Sequence, residues 1–130
     1  MKNIRMFLSS TFDPYMMKHR DLFRNELRIL LEKELGQYGI PFFLYDFELG
    51  IPKHTAPQRV VRMCFQAIDR SNAFVGILGT EYGTPIRSFL KDMKELNKLK
   101  TDYPMLVDAI DSNASMLELE FCYAMGSKYI

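Results

Sequence analysis

Small polar and acidic residues occur at several points along the chain where apolar segments end. In a parallel sheet with flanking helices, ligands bind beyond the carboxyl ends of the strands, so residues that directly follow a strand are candidates for chemistry. Hydroxyl groups and free backbone N–H groups at a helix N-terminus suit a phosphate or another anion. The candidate binding residues are Ser9, Ser10, Thr11, Phe12, Asp46, Gly79, Tyr82, Gly83 and Ser115, and the candidate catalytic residue is Glu118.

The spacing of Ser115 and Glu118 allows two interpretations. A serine followed three residues later by glutamate is typical of a capping box, in which the hydroxyl accepts a backbone N–H and the carboxylate reaches back to the start of the helix. Alternatively, Glu118 is a carboxylate at the mouth of a cleft. Glu120 is only two positions away, so it does not share a helix face with Glu118 and the two make a poor acid–base pair. The residues by themselves favour the capping box.

The hydroxyl cluster and the glycine pair also have purely structural interpretations. Ser10, Thr11 and Asp13 can serve as caps for the helix that follows them. Gly79 and Gly83 flank three residues, with neither the Gly-Lys-Ser/Thr of a P-loop nor the GxGxxG of a dinucleotide-binding turn. A tight turn that requires positive φ is therefore the favoured interpretation of the glycines.

The two histidines and two cysteines indicate neither a catalytic triad nor a metal site. His19 falls in the first helical pattern and His54 in a loop, and nothing in the sequence links either of them to a serine. Cys64 and Cys122 are far apart in sequence, whereas a structural zinc ion needs about four close ligands. We therefore expect reduced thiols and no metal.

Composition predicts a single soluble domain in the cytoplasm. The chain has 130 residues, 48% of them hydrophobic, and a formal net charge of +1. This near-neutral balance argues against nucleic acid as a partner. No run approaches the ~18 consecutive apolar residues of a membrane span. The apolar stretch Met6-Phe7-Leu8 is too short for a signal peptide.

Short apolar runs alternate with amphipathic segments along most of the chain. This order predicts an α/β fold with a mostly parallel sheet between layers of helices. Residues 101–113 are ambiguous between strand and helix. Strands are predicted at 4–8, 41–45 and 73–78, and helices at 14–35, 56–70, 86–100 and 115–125.

Several segments, in this order, resemble a family of TIR-like domains of unknown function. They are IRMFLSSTF at 4–12, HRDL at 19–22, YDFELGI at 45–51, the run ending FVGILGTEYG at 83, and SMLELEFCYA at 115–124. The resemblance implies a flavodoxin-like three-layer fold and a place at the N-terminus of larger proteins that carry an NTPase or repeat region. Glu48 and Leu49 depart from the Arg-Trp pair of the family, and Leu117 replaces its threonine.

The resemblance implies two alternative functions. In the first, the domain acts in signalling or defence by self-association or by docking on another TIR-like domain, with no cofactor required. In the second, it is an NAD glycohydrolase. Glu118 then occupies the position of the catalytic glutamate, with Ser9, Ser10, Thr11 and Gly79 along the phosphates and ribose. The departures at positions 48 and 49 favour the first alternative.

The C-terminus resembles the beginning of another strand. A glycine at position 126 predicts a helix end, and Lys128-Tyr129-Ile130 follows. A TIR-like sheet carries about five strands, which is an ordinary sheet size. We therefore expect a single TIR-like domain over residues 1–130 that is the N-terminal part of a longer protein. We further expect its sheet to be incomplete at one edge and prone to association there.

Overall fold

The computed structural model describes residues 2–11, 14–46, 55–79 and 82–127. Several positions singled out from the sequence lie outside these ranges. They are the predicted binding residue Phe12, the predicted cap Asp13, the departures Glu48 and Leu49, His54, and the predicted strand start at Lys128.

Three short strands form one parallel sheet. They are β1 (Ile4–Ser10), β2 (Phe42–Tyr45) and β3 (Ala73–Ile77), in the order β2-β1-β3. β1 lies in the centre, where its residue Phe7 is paired with Tyr45 on one side and Phe74 on the other. The predicted flavodoxin-like α/β fold is confirmed. The sheet is open, because no described strand pairs with the outer side of β2 or β3.

Helices flank this sheet and connect its strands. The first helical segment (14–36) is continuous and contains a π-helical stretch in which the N–H of Arg28 donates to the carbonyl of Phe23. The helices are α1 (Pro14–Leu22), the π-helix (Phe23–Leu27), α2 (Arg28–Gly36), α3 (Pro57–Arg70), α4 (Ile86–Phe89), α5 (Met93–Asp102), a 3₁₀-helix (Pro104–Leu106), α6 (Val107–Asp111) and α7 (Met116–Ser127).

Two predictions about local structure are wrong. The helix predicted over 86–100 is broken, because Leu90 adopts an extended conformation and the Asp92 side chain accepts the N–H of Lys94 to begin a new helix. β1 continues to Ser10, so Ser9 and Ser10 lie in the strand and not in the loop after it. The ambiguous stretch at 101–113 contains helices in place of the alternative strand.

The core holds α7 against α3. The amphipathic helix predicted over 56–70 is confirmed, since Val61, Cys64, Ala67 and Ile68 are all buried. The ring of Phe65 stacks on that of Tyr123 of α7 with centroids 4.6 Å apart. This packing fixes the start of α7, where the candidate residues Ser115 and Glu118 lie. No helix in the ranges given above is long and apolar enough to cross a membrane.

Candidate functional site

The start of α7 is held by the segment that follows β3. Pro85 and Ser115 form an isolated antiparallel bridge. The N–H of Ile86 donates to the carbonyl of Ala114 at 2.8 Å, and that of Met116 donates to the carbonyl of Thr84 at 3.0 Å. These bonds bring the residues after β3 onto the first turn of the helix.

Gly83 makes this approach possible. Its φ of +96° lies in the left-handed region that favours glycine, as predicted. The same prediction is wrong for Gly79, which has no positive φ. A Cβ atom at Gly83 would lie 3.1 Å from Cγ2 of Thr11 and 3.6 Å from Cβ of Ser115. The backbone of Gly83 therefore lies between Thr11 and Ser115, where a larger side chain would be crowded.

Tyr82, Ser115 and Glu118 form a small hydrogen-bonded cluster, here called the Tyr82 cluster. The Ser115 hydroxyl oxygen accepts the N–H of Glu118 at 3.1 Å, which is one half of a capping box. The other half of a capping box, in which the glutamate accepts the N–H of the serine, is absent from the hydrogen bonds of this cluster. The Glu118 carboxylate accepts the Tyr82 hydroxyl instead. The Tyr82 oxygen in turn accepts the N–H of Ser115 at 3.2 Å. A tyrosine thus replaces the glutamate in accepting the N–H of the cap residue Ser115.

The Tyr82 cluster borders an open cavity of about 380 Å³ at the carboxyl end of β3. This volume is within the usual range for small-molecule sites. Most of the lining is an apolar wall, and the exposed Glu118 adds a carboxylate beside it. Such a combination suits a flat ring stacked on apolar side chains with a cationic or hydroxyl group near the carboxylate. The lining residues are Leu78, Gly79, Tyr82, Ser115, Leu117, Glu118 and Phe121.

The structure brings together only part of the predicted site. Gly79, Tyr82, Ser115 and Glu118 line one cavity, and Gly83 lies directly beside it. The hydroxyl residues Ser9, Ser10 and Thr11 are buried and are not among the residues that line this cavity.

Ser9 contacts the other glutamate of α7. Its hydroxyl donates to Oε2 of Glu120 at 3.3 Å, and the two residues are 1% and 9% exposed. Burial raises the pKa of Glu120 to about 8, although the Ser9 hydrogen bond and the Arg20 charge act in the opposite direction. The sequence prediction that Glu118 and Glu120 do not share a face is confirmed, since Glu118 is exposed. No periodicity indicates that Glu120 is buried, because the α7 segment is apolar on nearly every side.

Asp46 and Ser10 belong to a separate buried network. Arg20 is 1% exposed and donates from Nη1 to the Ser10 hydroxyl at 2.6 Å and from Nη2 to Asp46 Oδ1 at 2.7 Å. Arg24 donates from Nε to the other Asp46 oxygen at 2.6 Å. Burial acts to raise the pKa of Asp46, but the Arg24 and Arg20 guanidinium groups outweigh it and hold that pKa below its usual value. Sequence reasoning missed Arg20, although it lies within one of the resemblance motifs.

Asp46 is therefore engaged in structural ion pairs and is absent from the lining of the Tyr82 cavity. It borders a different groove, of about 740 Å³, between the first helical segment and β2. Cys64 and Cys122 are free thiols, as predicted. Within the described residues no cluster of three or more histidine, cysteine or acidic side chains could hold a metal ion.

The fold and the Tyr82 cavity define a flavodoxin-like α/β domain with a candidate ligand site at the end of β3. No family model matches the chain, and no solved structure matches it. The curated proteins to which it is similar include telomerase protein component 1 of Mus musculus and of Rattus norvegicus. It is 35% identical to each over 83 residues, which are 63% of this chain. The match spans only 3% of the length of these relatives.

Proposed function

We propose that this chain is a TIR-like association module that relays a signal or acts in defence by binding a second copy of itself. The observation that carries the proposal is the exposure of large apolar side chains on the first helical segment. Leu22, Leu27, Ile29 and Leu30 are 44–56% exposed there, and none of the residues of α2 is buried. Contiguous exposed apolar groups on a small protein mark interaction surfaces more often than they mark ordinary surface.

The curated relatives support a modular role. The segment similar to this chain is a small part of much longer proteins, and a domain in that setting acts together with the rest of its chain. The relatives carry the name of a telomerase component. The near-neutral charge of this chain still favours protein over nucleic acid as its partner.

Sedimentation equilibrium of the purified chain over a wide concentration range tests the proposal. We expect the mean mass to rise from monomer toward dimer with concentration, because a weak association is driven by mass action. A chain that remains monomeric throughout that range would show that it does not act by self-association.

The Tyr82 cavity favours a second candidate function, an NAD glycohydrolase that uses Glu118. The supporting observation is that the Glu118 carboxylate bonds the Tyr82 hydroxyl at the cavity and does not fold back onto its own helix. A carboxylate in such a place could stabilise the positive charge that develops on the ribose as nicotinamide leaves and water adds.

Nicotinamide release from NAD by the concentrated protein tests this candidate. Release should fall to background in Glu118→Gln, which keeps the size of the side chain and removes its charge. Asp111→Asn, on an exposed acidic residue outside the cavity, is the matched control and should leave release unchanged. Equal release by the wild-type and Glu118→Gln proteins would eliminate Glu118 as the catalytic group.

A further inference from the structure

The exposed side of the first helical segment carries two apolar residues between charges of opposite sign. Ile29, Leu30 and Lys33 are neighbours on α2 by their three- and four-residue spacing, and Glu26 precedes them by one turn, in the π-helical stretch, so the four form one stripe on the surface. Ile29 and Leu30, in the middle, are 52% and 56% exposed. A negative charge lies at one end of this stripe and a positive charge at the other.

The two charges of this stripe are not used within the molecule. Arg24 and Arg28 of this segment form local ion pairs with Asp21 and Glu32, at 3.0 and 2.8 Å. Glu26 and Lys33, like Lys18 and Glu34, form no ion pair with any residue the structure describes. Both are exposed, so both are accessible to another molecule.

This arrangement is complementary to itself. Two copies of the segment placed antiparallel about a two-fold axis between Ile29 and Leu30 bring Glu26 of each copy opposite Lys33 of the other. The same placement packs Ile29 of each copy against Leu30 of the other. An isologous contact of this kind closes into a dimer. The continuous segment of residues 14–36 spans roughly 34 Å at helical rise, which is ample for helix pairing.

We infer that the stripe formed by Glu26, Ile29, Leu30 and Lys33 is the surface on which a second copy of this chain docks, helix antiparallel to helix. The inference rests on the proposed self-association and adds to it the surface, the symmetry and the register. The apolar pair supplies the buried centre of the contact, and the two symmetric ion pairs at its ends fix its direction.

Charge exchange on the full chain, followed by sedimentation equilibrium, tests this inference. Glu26→Lys alone places lysines face to face twice across the axis, and Lys33→Glu alone does the same with glutamates. Each should raise the dimer dissociation constant by about tenfold or more, because juxtaposed like charges disfavour the contact. The double variant Glu26→Lys/Lys33→Glu restores opposite charges and should dimerise like the wild type.

Mixing the two single variants provides an independent arm. Each variant repels itself, but Glu26→Lys and Lys33→Glu present opposite charges to one another, so the mixture should form a heterodimer of near wild-type affinity. Lys98→Glu makes the same charge change as Lys33→Glu at an exposed position of α5, and it should leave the dissociation constant unchanged. Thermal melting of every variant confirms that each is folded.

The failures of the two proposals are distinguishable. If the wild-type chain dimerises and the single exchanges do not weaken it, the stripe is not the interface, while self-association stands. Weakening by the single exchanges without rescue in the double variant or the mixture would overturn the antiparallel register. A wild-type chain that is monomeric at every concentration overturns the self-association itself.

Discussion

The hydroxyl of Ser9 at the end of the central strand donates to the buried carboxyl of Glu120 on α7. This contact joins two segments that are 111 residues apart and that both belong to the motifs of the TIR-like resemblance. Glu120 lies on the inner side of α7, while Glu118, two positions earlier, borders the open cavity. The two glutamates of one motif therefore lie in different environments, Glu120 in the interior and Glu118 at the surface.

The buried carboxyl of Glu120 should make the chain less stable as pH rises. Its pKa is about 8 in the folded state, against an ordinary value of 4.5. Between pH 4.5 and pH 8, the Glu120 carboxyl is therefore protonated in the folded state and ionised in the unfolded state. The stability that this proton gives to the folded state is complete below about pH 4.5 and is lost as pH rises through 8. The loss is of the order of 3–5 kcal/mol.

Urea unfolding at several pH values between 5 and 9 measures this dependence. Glu120→Gln keeps a hydrogen-bonding group beside Ser9 but cannot ionise, so its stability should change much less over the same range. At pH 9 the variant should be the more stable protein. Parallel curves for the two proteins would mean that Glu120 is charged inside the fold.

Asp46 should be a stabilising residue rather than a ligand-binding one. Its carboxylate lies between two guanidinium groups, of which that of Arg20 is fully buried. Asp46→Ala should lower the free energy of unfolding by about 3–5 kcal/mol, because it leaves buried positive charge without its partner. Asp21→Ala is the matched control, since it removes an exposed partner of the same Arg24 and should cost less than about 1 kcal/mol.

The pH dependence of this ion pair has the opposite sign to that of Glu120. The pKa of Asp46 is lowered by folding, so its contribution is present above its ordinary value of 3.8 and is lost as pH falls through the folded pKa. Acid unfolding of the wild type should therefore be steeper than that of Asp46→Ala below pH 4. If the stability of the two proteins falls equally steeply below pH 4, Asp46 is not charged in the folded protein.

Local patterns were sufficient to predict the sheet and the main helices. β3 is a run of apolar residues and pairs with β1 as predicted, although none of its residues is fully buried, and α3 has an apolar face with buried Ile68. The break at Leu90 was not predictable in the same way, because the apolar spacing continues across it. The cap at Asp92 outweighs that spacing, and it does so through a single side-chain hydrogen bond.

The candidate site was predicted only in part, for a related reason. Ser115, Glu118 and Tyr82 are recognisable as loop and helix-start residues, and they meet in the structure. The role of Ser9 depends on its partner Glu120, far away in sequence. Buried polar pairs of this kind leave no periodic signal, so only the three-dimensional arrangement reveals them.

The capping role should belong to Ser115 more than to Glu118. Ser115 is 1% exposed and accepts the N–H of Glu118, so Ser115→Ala should lower the free energy of unfolding by about 0.5–2 kcal/mol. Glu118 bonds only an exposed tyrosine hydroxyl, so Glu118→Ala should cost about 0.5 kcal/mol or less. Thermal unfolding of both variants under the same conditions shows which of them loses more stability. A larger cost at Glu118 would indicate a complete capping box and remove the argument that its carboxylate serves the cavity.

The contact between β3 and α7 leaves no room for a side chain at Gly76. A Cβ atom there would lie 2.0 Å from Cζ of the Phe121 ring, which is itself packed edge-on against Phe74. Gly76→Ala should therefore lower the free energy of unfolding by about 1–3 kcal/mol through overpacking. Gly36→Ala is the matched control, because nothing lies within 4 Å of its Cβ position and alanine favours the helix by about 0.5–1 kcal/mol. Adding Phe121→Leu to Gly76→Ala removes the obstructing ring and should restore part of the loss.

If Gly76→Ala unfolds at the same urea concentration as the wild type, α7 does not lie against β3 at this point. The apolar wall of the Tyr82 cavity, which Phe121 helps to form, would then be wrongly placed.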